Sequence, residues 1–335
     1  MRKYVRILFV NLLLISIFLV GCASTNSTNK NSAENYPDRQ IELVVPFAAG
    51  GGVDLTARAV ADYISKEWGQ PIVVVNKTGG GGIVGAQYAL KEAKADGYTV
   101  LMNNNSSTTM YEAGTTNPVL TTKDHKLAAR VAESPLVYAV RADAPWDNLK
   151  DFSNWVKENP AELTWASVGP AGFSSFGVAE WLDYIGVDYK QTKMVSSEGA
   201  SDSGAKVAGG HVILAVHNAG EVYSLVEAGK LKVLAVQGNE RSPLYPDVPT
   251  TEELGFDGLT VKWWTGISLP KDTPDEIVRK WDKTIAKMQD DAEFINQLEK
   301  IFLQPAYLNA TDFAEEVEAE TDWYMTLGEN TGIRK

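Results

Sequence analysis

One stretch of the chain indicates its fold: Leu43-Val44-Val45-Pro46-Phe47-Ala48-Ala49-Gly50-Gly51-Gly52-Val53-Asp54. Its first residues are apolar and β-branched and predict a strand, and the amphipathic pattern of residues 55–68 predicts a helix. The three glycines between them predict a tight loop whose backbone N–H groups can turn outward, because glycine has no Cβ. The start of a helix adds unpaired N–H groups and a partial positive charge. The stretch therefore predicts a seat for an anion.

A second strand–loop–helix unit follows the first. Residues 71–76 are rich in β-branched side chains, residues 79–82 are all glycine, and residues 83–92 have a helical pattern. Because both glycine loops stand at the carboxyl ends of strands, we expect them to face one crevice. A third strand, 98–103, ends in a run of asparagine, serine and threonine residues. That run is either part of the same site or a set of turns and helix caps.

The order of these elements predicts the domain organisation. Alternating strands and helices indicate an α/β fold with parallel strands and right-handed crossovers, which is a doubly wound domain. A strand at 136–141 is expected to lead into a second domain, and the chain is expected to return near 237–241. We therefore predict one domain from residues 36–136 plus 240–335 and another from residues 137–239. Two domains joined by two crossings make a hinged clamp.

The C-terminal part is predicted to cover the first domain. Trp263 and Trp264 are adjacent in a predicted strand and face opposite sides, so at most one of them can cover a ligand. Residues 273–299 form one amphipathic helical pattern, with Thr273 as the N-cap and Pro274 at the first helical position.

Composition limits the partners and the chemistry. The chain has 335 residues, enough for two domains, and a formal net charge of −12, which argues against nucleic acid. An anionic ligand would be held by local dipoles rather than by a positive field. The chain's histidines, His125, His211 and His217, lack metal-ligand spacing, so we expect no metal.

An enzyme is the remote alternative. Gly80, Gly82 and Gly85 match a dinucleotide fingerprint, but the next strand ends in Asn103 rather than in the acid that would hold a ribose. The pair Ser203 and Lys206 fits a penicillin-binding pattern by spacing alone, without its partner motifs. We therefore expect no catalysis and no cofactor.

The N-terminus indicates export. Residues 1–22 resemble a lipoprotein signal peptide, because basic residues precede a short apolar run that ends Leu19-Val20-Gly21-Cys22-Ala23. Cys22 would carry the lipid, and as the only cysteine it excludes an internal disulfide. A plain signal peptide with a chance cysteine is the alternative. Residues 23–35 are predicted to be a flexible tether, so the protein would lie outside the cytoplasm, anchored to the outer face of a bacterial membrane, at the cell surface or in the periplasm.

A series of short motifs occurs in order from Tyr36 to the C-terminus. They are Tyr36-Pro37-Asp38-Arg39-Gln40-Ile41, Val45-Pro46-Phe47, Gly50-Gly51-Gly52-Val53-Asp54, Gly69-Gln70-Pro71, Val75-Asn76-Lys77, residues 79–85, Asp96-Gly97-Tyr98-Thr99, Leu234-Ala235-Val236, Arg241-Ser242, Pro246-Asp247-Val248-Pro249-Thr250, Glu253-Leu254-Gly255 and Trp264-Thr265-Gly266. No single motif is specific, but their ordered set resembles the Bug/TctC family, the extracytoplasmic solute receptors of tripartite tricarboxylate transporters.

The resemblance implies a periplasmic-binding-protein-like fold of type II, a Venus flytrap that closes on a small organic carboxylate. It also implies a monomer that hands its ligand to a membrane permease with one large and one small subunit. An exported sensor component with no transport role remains an alternative. The ligand is open, since di- or tricarboxylates, acidic amino acids and aromatic acids all fit.

The resemblance also implies a ligand site between the two domains, held largely by backbone N–H groups. In the first domain it maps to residues 47–54 and 79–83 and to the end of the third strand, with the ligand-binding residues Phe47, Ala48, Ala49, Gly50, Gly51, Asp54, Gly79, Gly80, Gly81, Gly82, Asn103 and Asn104. In the second domain it maps to Ser167, Gly169, Gly172, Phe173, Ser174, Ser175, Ser197, Glu198, Gly199, Ala200, His217 and Asn218.

Three departures from the family pattern lie in the second domain. Residues 169–177 lack the usual Gly-Ser-Gly-Ser stretch followed by His-Leu, Glu198 stands where a lysine is expected, and Ile213 stands where an Asp is expected. We hypothesise that Glu198 selects for a ligand with a cationic or hydroxyl group beside its carboxylate. The alternative is a solvated loop acid.

Overall fold

The structure, a computed structural model, describes residues 35–334. The predicted signal peptide, Cys22 and all but the last residue of the predicted tether lie outside the described residues. Among the helices described, none is both long and apolar enough to cross a membrane.

The chain alternates strands and helices along most of its length. The strands are β1 (Ile41–Val45), β2 (Ile72–Asn76), β3 (Thr99–Asn104), β4 (His125–Ser134), β5 (Leu136–Arg141), β6 (Thr164–Ser167), β7 (Lys193–Ser196), β8 (Leu214–Asn218), β9 (Leu231–Val236), β10 (Trp263–Pro270) and β11 (Gln304–Leu308). The α-helices are α1 (Gly52–Trp68), α2 (Ile83–Gln87), α3 (Thr109–Gly114), α4 (Leu149–Glu158), α5 (Phe173–Tyr184), α6 (Ala200–Ala208), α7 (Tyr223–Glu227), α8 (Asp275–Met288), α9 (Ala292–Lys300) and α10 (Ala310–Thr331).

Two sheets organise these elements. The first has the strand order β11-β4-β10-β3-β1-β2, and the second has the order β7-β6-β8-β5-β9. We call the first sheet with α1–α3 and α8–α10 lobe 1, and the second sheet with α4–α7 lobe 2. The predicted parallel β-α-β-α-β unit is present, because β1 pairs in parallel with both β2 and β3. In lobe 2, β6 pairs in parallel with β7 and β8.

Each lobe has an apolar core at its sheet. In lobe 1, Val44 of β1 and Leu101 of β3 pack with the buried face of the segment that carries α2. In lobe 2, Val137 of β5 and Ala215 of β8 pack with Val207 of α6. Because β1, β2 and β3 run parallel, and so do β6, β7 and β8, their carboxyl ends lie at one edge of each sheet. The loops predicted to bind a ligand follow the strands at these edges.

The chain passes between the sheets at two places. The first is Pro135, because β4 ends at Ser134 and β5 begins at Leu136. After β9 the chain stays against the second sheet, since the Gln237 amide donates to the Leu136 carbonyl at 2.8 Å. It re-enters the first sheet at β10. The division into residues 36–136 plus 240–335 and residues 137–239 stays a prediction.

The C-terminal region corrects one expectation. The single helical pattern of residues 273–299 is divided into α8 and α9, and Thr273 is not an N-cap. Pro274 stands at the N-cap of α8, with ψ of 138°, so the helix begins one residue later than predicted. The break before α9 arises because Asp291 caps that helix by accepting the Phe294 amide at 2.9 Å.

Candidate functional site

The first glycine loop, residues 47–51, is held in place by a side chain from the helix that follows it. The Asp54 carboxylate accepts the Gly50 amide at 2.9 Å and the Asn76 side-chain amide at 2.9 Å. It also accepts two hydrogen bonds from Arg58, at 2.9 and 3.0 Å. Asn76 in turn donates to the Phe47 carbonyl at 3.0 Å. The loop is therefore a preformed unit whose shape depends on Asp54.

The charge state of Asp54 follows from these contacts. Its side chain is only 1% exposed, and burial alone would raise its pKa. The hydrogen bonds from Arg58, Gly50 and Asn76 outweigh burial and hold the pKa of Asp54 below its usual value. Arg58 neutralises the carboxylate, so Asp54 leaves little net charge to repel an anion at the start of α1.

The second glycine loop has a backbone that favours glycine. Gly79, Gly80, Gly81 and Gly82 all have positive φ, between 58° and 130°. A Cβ built on Gly82 would lie 2.8 Å from the Phe47 Cζ and 3.1 Å from the Ser107 Cβ. The first two loops and the loop after β3 therefore meet at Gly82, as the strand order predicts.

The loop after β3 uses much of its polarity internally. The Asn104 side chain accepts the Ser107 amide at 3.1 Å and caps the 3₁₀ turn Asn105–Ser107. Asn103 is fully buried, and its side-chain oxygen has no hydrogen-bond partner in the described part of the chain. Asn104 thus acts as a helix cap, whereas Asn103 keeps a free polar atom.

The serines after β6 are bonded to one another and to the backbone. The hydroxyls of Ser167 and Ser175 lie 2.9 Å apart, and they lie 2.9 and 2.6 Å from the Gly169 carbonyl oxygen. Ser174 donates to the Val216 carbonyl at 2.6 Å. Gly172, the N-cap of α5, packs against the Ser167 hydroxyl and has no room for a Cβ. These groups shape the loop, and Phe173 follows them as the buried first residue of α5.

The loop after β7 is similar in its internal bonding. The Ser203 hydroxyl donates to the Ser197 hydroxyl at 2.8 Å, and the Glu198 amide donates to the Asp202 carboxylate at 3.0 Å. The Glu198 side chain is exposed. Gly199 is the N-cap of α6, with φ of 153°, and Ala200 begins the helix.

The end of β8 presents two buried side chains with incomplete hydrogen bonding. The His217 Nδ1 lies 3.3 Å from the Glu221 carboxylate, and its Nε2 meets no partner within residues 35–334. The Asn218 side-chain oxygen accepts the Glu221 amide at 3.1 Å, which settles its orientation. The Asn218 Nδ2 is therefore the free end, and no acceptor for it exists among the described atoms.

The two lobes meet where this amide faces α1. A Cβ built on Gly52, the first residue of α1, would lie 3.8 Å from the Asn218 Nδ2 and 3.6 Å from the Trp263 ring. Trp263 is thus the member of the tryptophan pair that lies at this junction. Trp264 belongs to the core of lobe 1, where it donates to Glu320 at 2.9 Å and packs against Phe313.

Gly52, Ser107 and Trp263 also lie at this junction. Gly52 falls within the range 47–54 that the family resemblance maps to the site, and Trp263 belongs to the tryptophan pair of which at most one member is expected to cover a ligand. The sequence signal for Ser107 is its position in the polar run after β3. Two surface cavities, of about 330 and 220 Å³, lie elsewhere, and no predicted site residue lines either of them. Within residues 35–334, no group of three His, Cys, Asp or Glu side chains could hold a metal ion.

Known proteins share both the sequence pattern and the fold. The profile of a family described as the tripartite tricarboxylate transporter family receptor, TctC, matches residues 56–331. A Cupriavidus necator protein named UPF0065 protein in gbd 5'region is 30% identical over 305 residues, which cover 90% of each chain.

Two solved structures extend the comparison. MatC from Rhodopseudomonas palustris with bound malate has a TM-score of 0.78 at 25% identity and covers 87% of this chain and 99% of its own. Rpa4515 from R. palustris with adipate has a TM-score of 0.80 at 27% identity and covers 89% and 98%. The predicted periplasmic-binding-protein fold, a two-lobed Venus flytrap, is confirmed.

Proposed function

The chain belongs to the tripartite tricarboxylate transporter receptor family, TctC, and we therefore propose that it captures a small organic carboxylate between its lobes and delivers it to a membrane permease. Members of this family are extracytoplasmic solute-binding receptors rather than enzymes, and this chain is one of them. Malate and adipate, the acids in the two related structures, are small carboxylic acids and support this ligand class.

One observation carries the proposal: the free Asn218 amide of lobe 2 faces the first turn of α1 in lobe 1. A helix N-terminus offers backbone N–H groups and a partial positive charge. Gly51, at the N-cap of α1, has no side chain with which to satisfy them. A carboxylate placed there would accept hydrogen bonds from both lobes and thereby favour the closed arrangement.

The strength of such a site is adequate without a cationic side chain. Charge-assisted hydrogen bonds contribute about 1.5–3 kcal/mol each. Several of them, reduced by the cost of closing the lobes, are compatible with a Kd of about 1 μM. In this proposal the loops at 47–53 and 79–82 supply backbone donors, Asn218 supplies a side-chain donor and Trp263 covers the ligand. Asp54 holds the loop at 47–53 in shape, Asn104 shapes the loop after β3, and Ser167, Ser174 and Ser175 shape the loop after β6.

A ligand screen tests the proposal. Purified protein is titrated with malate, adipate, citrate, glutamate and nicotinate, with NAD as the comparison, and its thermal unfolding is followed. A ligand at 100 times its Kd stabilises the folded state by about 2.7 kcal/mol. If NAD raises the unfolding temperature and none of the acids does, the receptor proposal is wrong.

A matched pair of variants tests the carrying observation. Asn218→Asp keeps an oxygen to cap the turn at Glu221 but replaces the free donor with a negative charge. We expect at least a tenfold loss of affinity for the acid found in the screen, about 1.4 kcal/mol. Asn148→Asp is the control, because Asn148 also caps a helix, accepting the Lys150 amide at 2.9 Å, but lies at α4. Equal affinities in the two variants would contradict the role of Asn218.

Two finer parts of the proposal concern Glu198 and Cys22. If Glu198 selects for a cationic or hydroxyl group, Glu198→Gln should bind malate and glutamate less tightly but adipate as before. If Cys22 carries a lipid, Cys22→Ser should move the protein from the membrane fraction to the soluble fraction. Delivery is tested by substrate uptake in cells that lack the receptor or the permease.

A further inference from the structure

Phe302 has a strained backbone. It has φ of 60° and is, in the described part of the chain, the one residue other than glycine with a positive φ. It follows α9 in lobe 1, and its amide donates to the Glu299 carbonyl at 3.0 Å. L-residues with a Cβ disfavour this conformation, which persists only where surrounding contacts hold it.

The end of α9 holds this conformation, since the Leu303 amide also donates to the Leu298 carbonyl at 3.0 Å, and the Phe302 side chain packs against the other lobe. Its ring centroid lies 4.4 Å from that of Tyr223 in α7. A Cβ built on Gly220 would lie 2.6 Å from the Phe302 Cβ and 3.0 Å from the Ile301 carbonyl oxygen. The approach is therefore possible only because residue 220 is glycine.

The segment that receives Phe302 is the one that carries the free Asn218 amide. The 3₁₀ turn Ala219–Val222 begins directly after Asn218, whose side-chain oxygen caps it at the Glu221 amide. The Ala219 amide donates to the carbonyl of Pro135, the first crossing between the lobes, at 3.0 Å. The turn thus contacts the crossing, Phe302 and, through Asn218, the start of α1.

We propose that Phe302 is a positioning residue. Its packing against Gly220, beside the crossing at Pro135, sets the angle between the two lobes, and at that angle Asn218 can reach a ligand bound at the start of α1. Phe302 itself touches no ligand in this arrangement. The affinity part rests on the proposed function, whereas the contact between the lobes does not.

Gly220→Ala is the sharpest test. Gly220 does not have a left-handed backbone, so alanine fits lobe 2 by itself and clashes only with the seated Phe302 and Ile301. Gly328→Ala is the control, because a Cβ at Gly328 meets nothing closer than 3.4 Å. Phe302→Leu, which keeps an apolar side chain on the same Cβ, is the conservative variant.

Two readouts separate positioning from simple structural support. Hydrogen exchange without ligand should become about tenfold faster at residues 219–222 and also at residues 47–53 in Gly220→Ala, but not in Gly328→Ala. The Kd for malate or adipate should rise at least tenfold, because a smaller fraction of molecules has the binding-competent lobe angle. Phe302→Leu should lie between Gly220→Ala and the native protein in both readouts.

Each outcome is decisive. Unchanged exchange at residues 47–53 with unchanged Kd overturns the proposal, even if residues 219–222 exchange faster. If no acid of the screen binds the native protein, the proposed ligand class fails, and the exchange data alone support or overturn the contact between the lobes.

Discussion

The Gly50 amide donates to the Asp54 carboxylate at 2.9 Å, so one amide of the glycine loop is already used by the protein. Asp54 accepts further hydrogen bonds from Arg58 and Asn76. The role assigned to Asp54 from the sequence, ligand binding, stays a prediction. Its geometry favours an indirect role, in which it shapes the loop and leaves the neighbouring amides for a ligand.

Asp54→Ala should therefore reduce both stability and ligand affinity. Removing the carboxylate leaves the Gly50 amide and the Asn76 side chain without their acceptor, which we expect to lower the free energy of unfolding by about 2–4 kcal/mol. Chemical denaturation, with and without the acid found to bind in the ligand screen, measures both the loss of stability and the loss of affinity.

The same helix provides the control for Asp54. Asp62 pairs with Lys66 at 2.9 Å with the same sequence spacing, but both side chains are exposed. Asp62→Ala should change stability by less than about 0.5 kcal/mol and leave affinity unchanged. Comparable losses in both variants would show that Asp54 contributes only as a surface ion pair.

Gly82→Ala should cost more stability than Gly81→Ala. Both glycines have positive φ, 103° and 69°, so alanine is strained at either position by about 1–2 kcal/mol. Gly81 has open space where a Cβ would stand, whereas at Gly82 a Cβ would lie 2.8 Å from Phe47. We expect an additional loss of about 1–3 kcal/mol in Gly82→Ala. Equal unfolding temperatures would contradict the meeting of the loops at Gly82.

The glycine loops could be predicted from the sequence because their chemistry is local. The glycines that permit positive φ, the short strand before the loop and the helix after it all lie within a few residues of one another in the sequence. The hydrogen bonds of the lobe 2 serines could not be predicted. The partner of Ser174, the Val216 carbonyl, is distant in sequence, and only the folded chain shows that this hydroxyl is used.

The strands β4 and β11 were missed for a similar reason. β4 contains Arg130, a charged residue that interrupts any apolar alternation. In the structure its Nη1 forms an ion pair with the Glu316 Oε1 of α10 at 2.7 Å. β11 is a half-exposed edge strand with Pro305, which the sequence alone marks as a strand breaker. Both strands depend on antiparallel partners that are far along the chain.

Stability should fall as the pH rises from about 5 to 8. Burial raises the pKa of Glu180 to about 7, and burial also raises that of Glu320 to about 7, from a usual 4.5. The folded state therefore holds these protons more tightly than the unfolded state. The resulting stabilisation is complete below pH 4.5 and is lost as the pH passes through 7.

Glu320→Gln isolates one of these two groups. The carboxylate accepts hydrogen bonds from Trp264 and Thr109 at 2.9 and 3.0 Å, and a glutamine can keep both through its oxygen. Between pH 5 and pH 8 the free energy of unfolding should change by roughly 2–3 kcal/mol less than in the native protein. Glu318→Gln, an exposed position on the same helix, is the control and should keep the native pH dependence.

Acid should expose a second, opposite effect at His125. Burial lowers the pKa of His125 to about 4, from a usual 6.5. The stability that depends on neutral His125 is therefore present above pH 6.5 and is lost as the pH falls through 4. His125→Gln should be less sensitive to acid than the native protein in urea unfolding at pH 4 and pH 7. An unchanged difference between these two pH values would contradict this assignment.

Trp263 should report ligand binding by fluorescence, and Trp264 should not. Trp263 lies beside Gly52 and Asn218, where the ligand is proposed to bind, whereas Trp264 is enclosed in lobe 1 against Phe313. The chain has nine tryptophans, so the comparison is between variants rather than absolute.

Trp263→Phe should remove more than half of the fluorescence change that a bound carboxylate causes. Trp264→Phe should keep that change while lowering stability by about 1–3 kcal/mol, since the ring leaves a cavity and Glu320 loses a donor. Equal fluorescence changes in the two variants would place the ligand away from Trp263 and contradict the site.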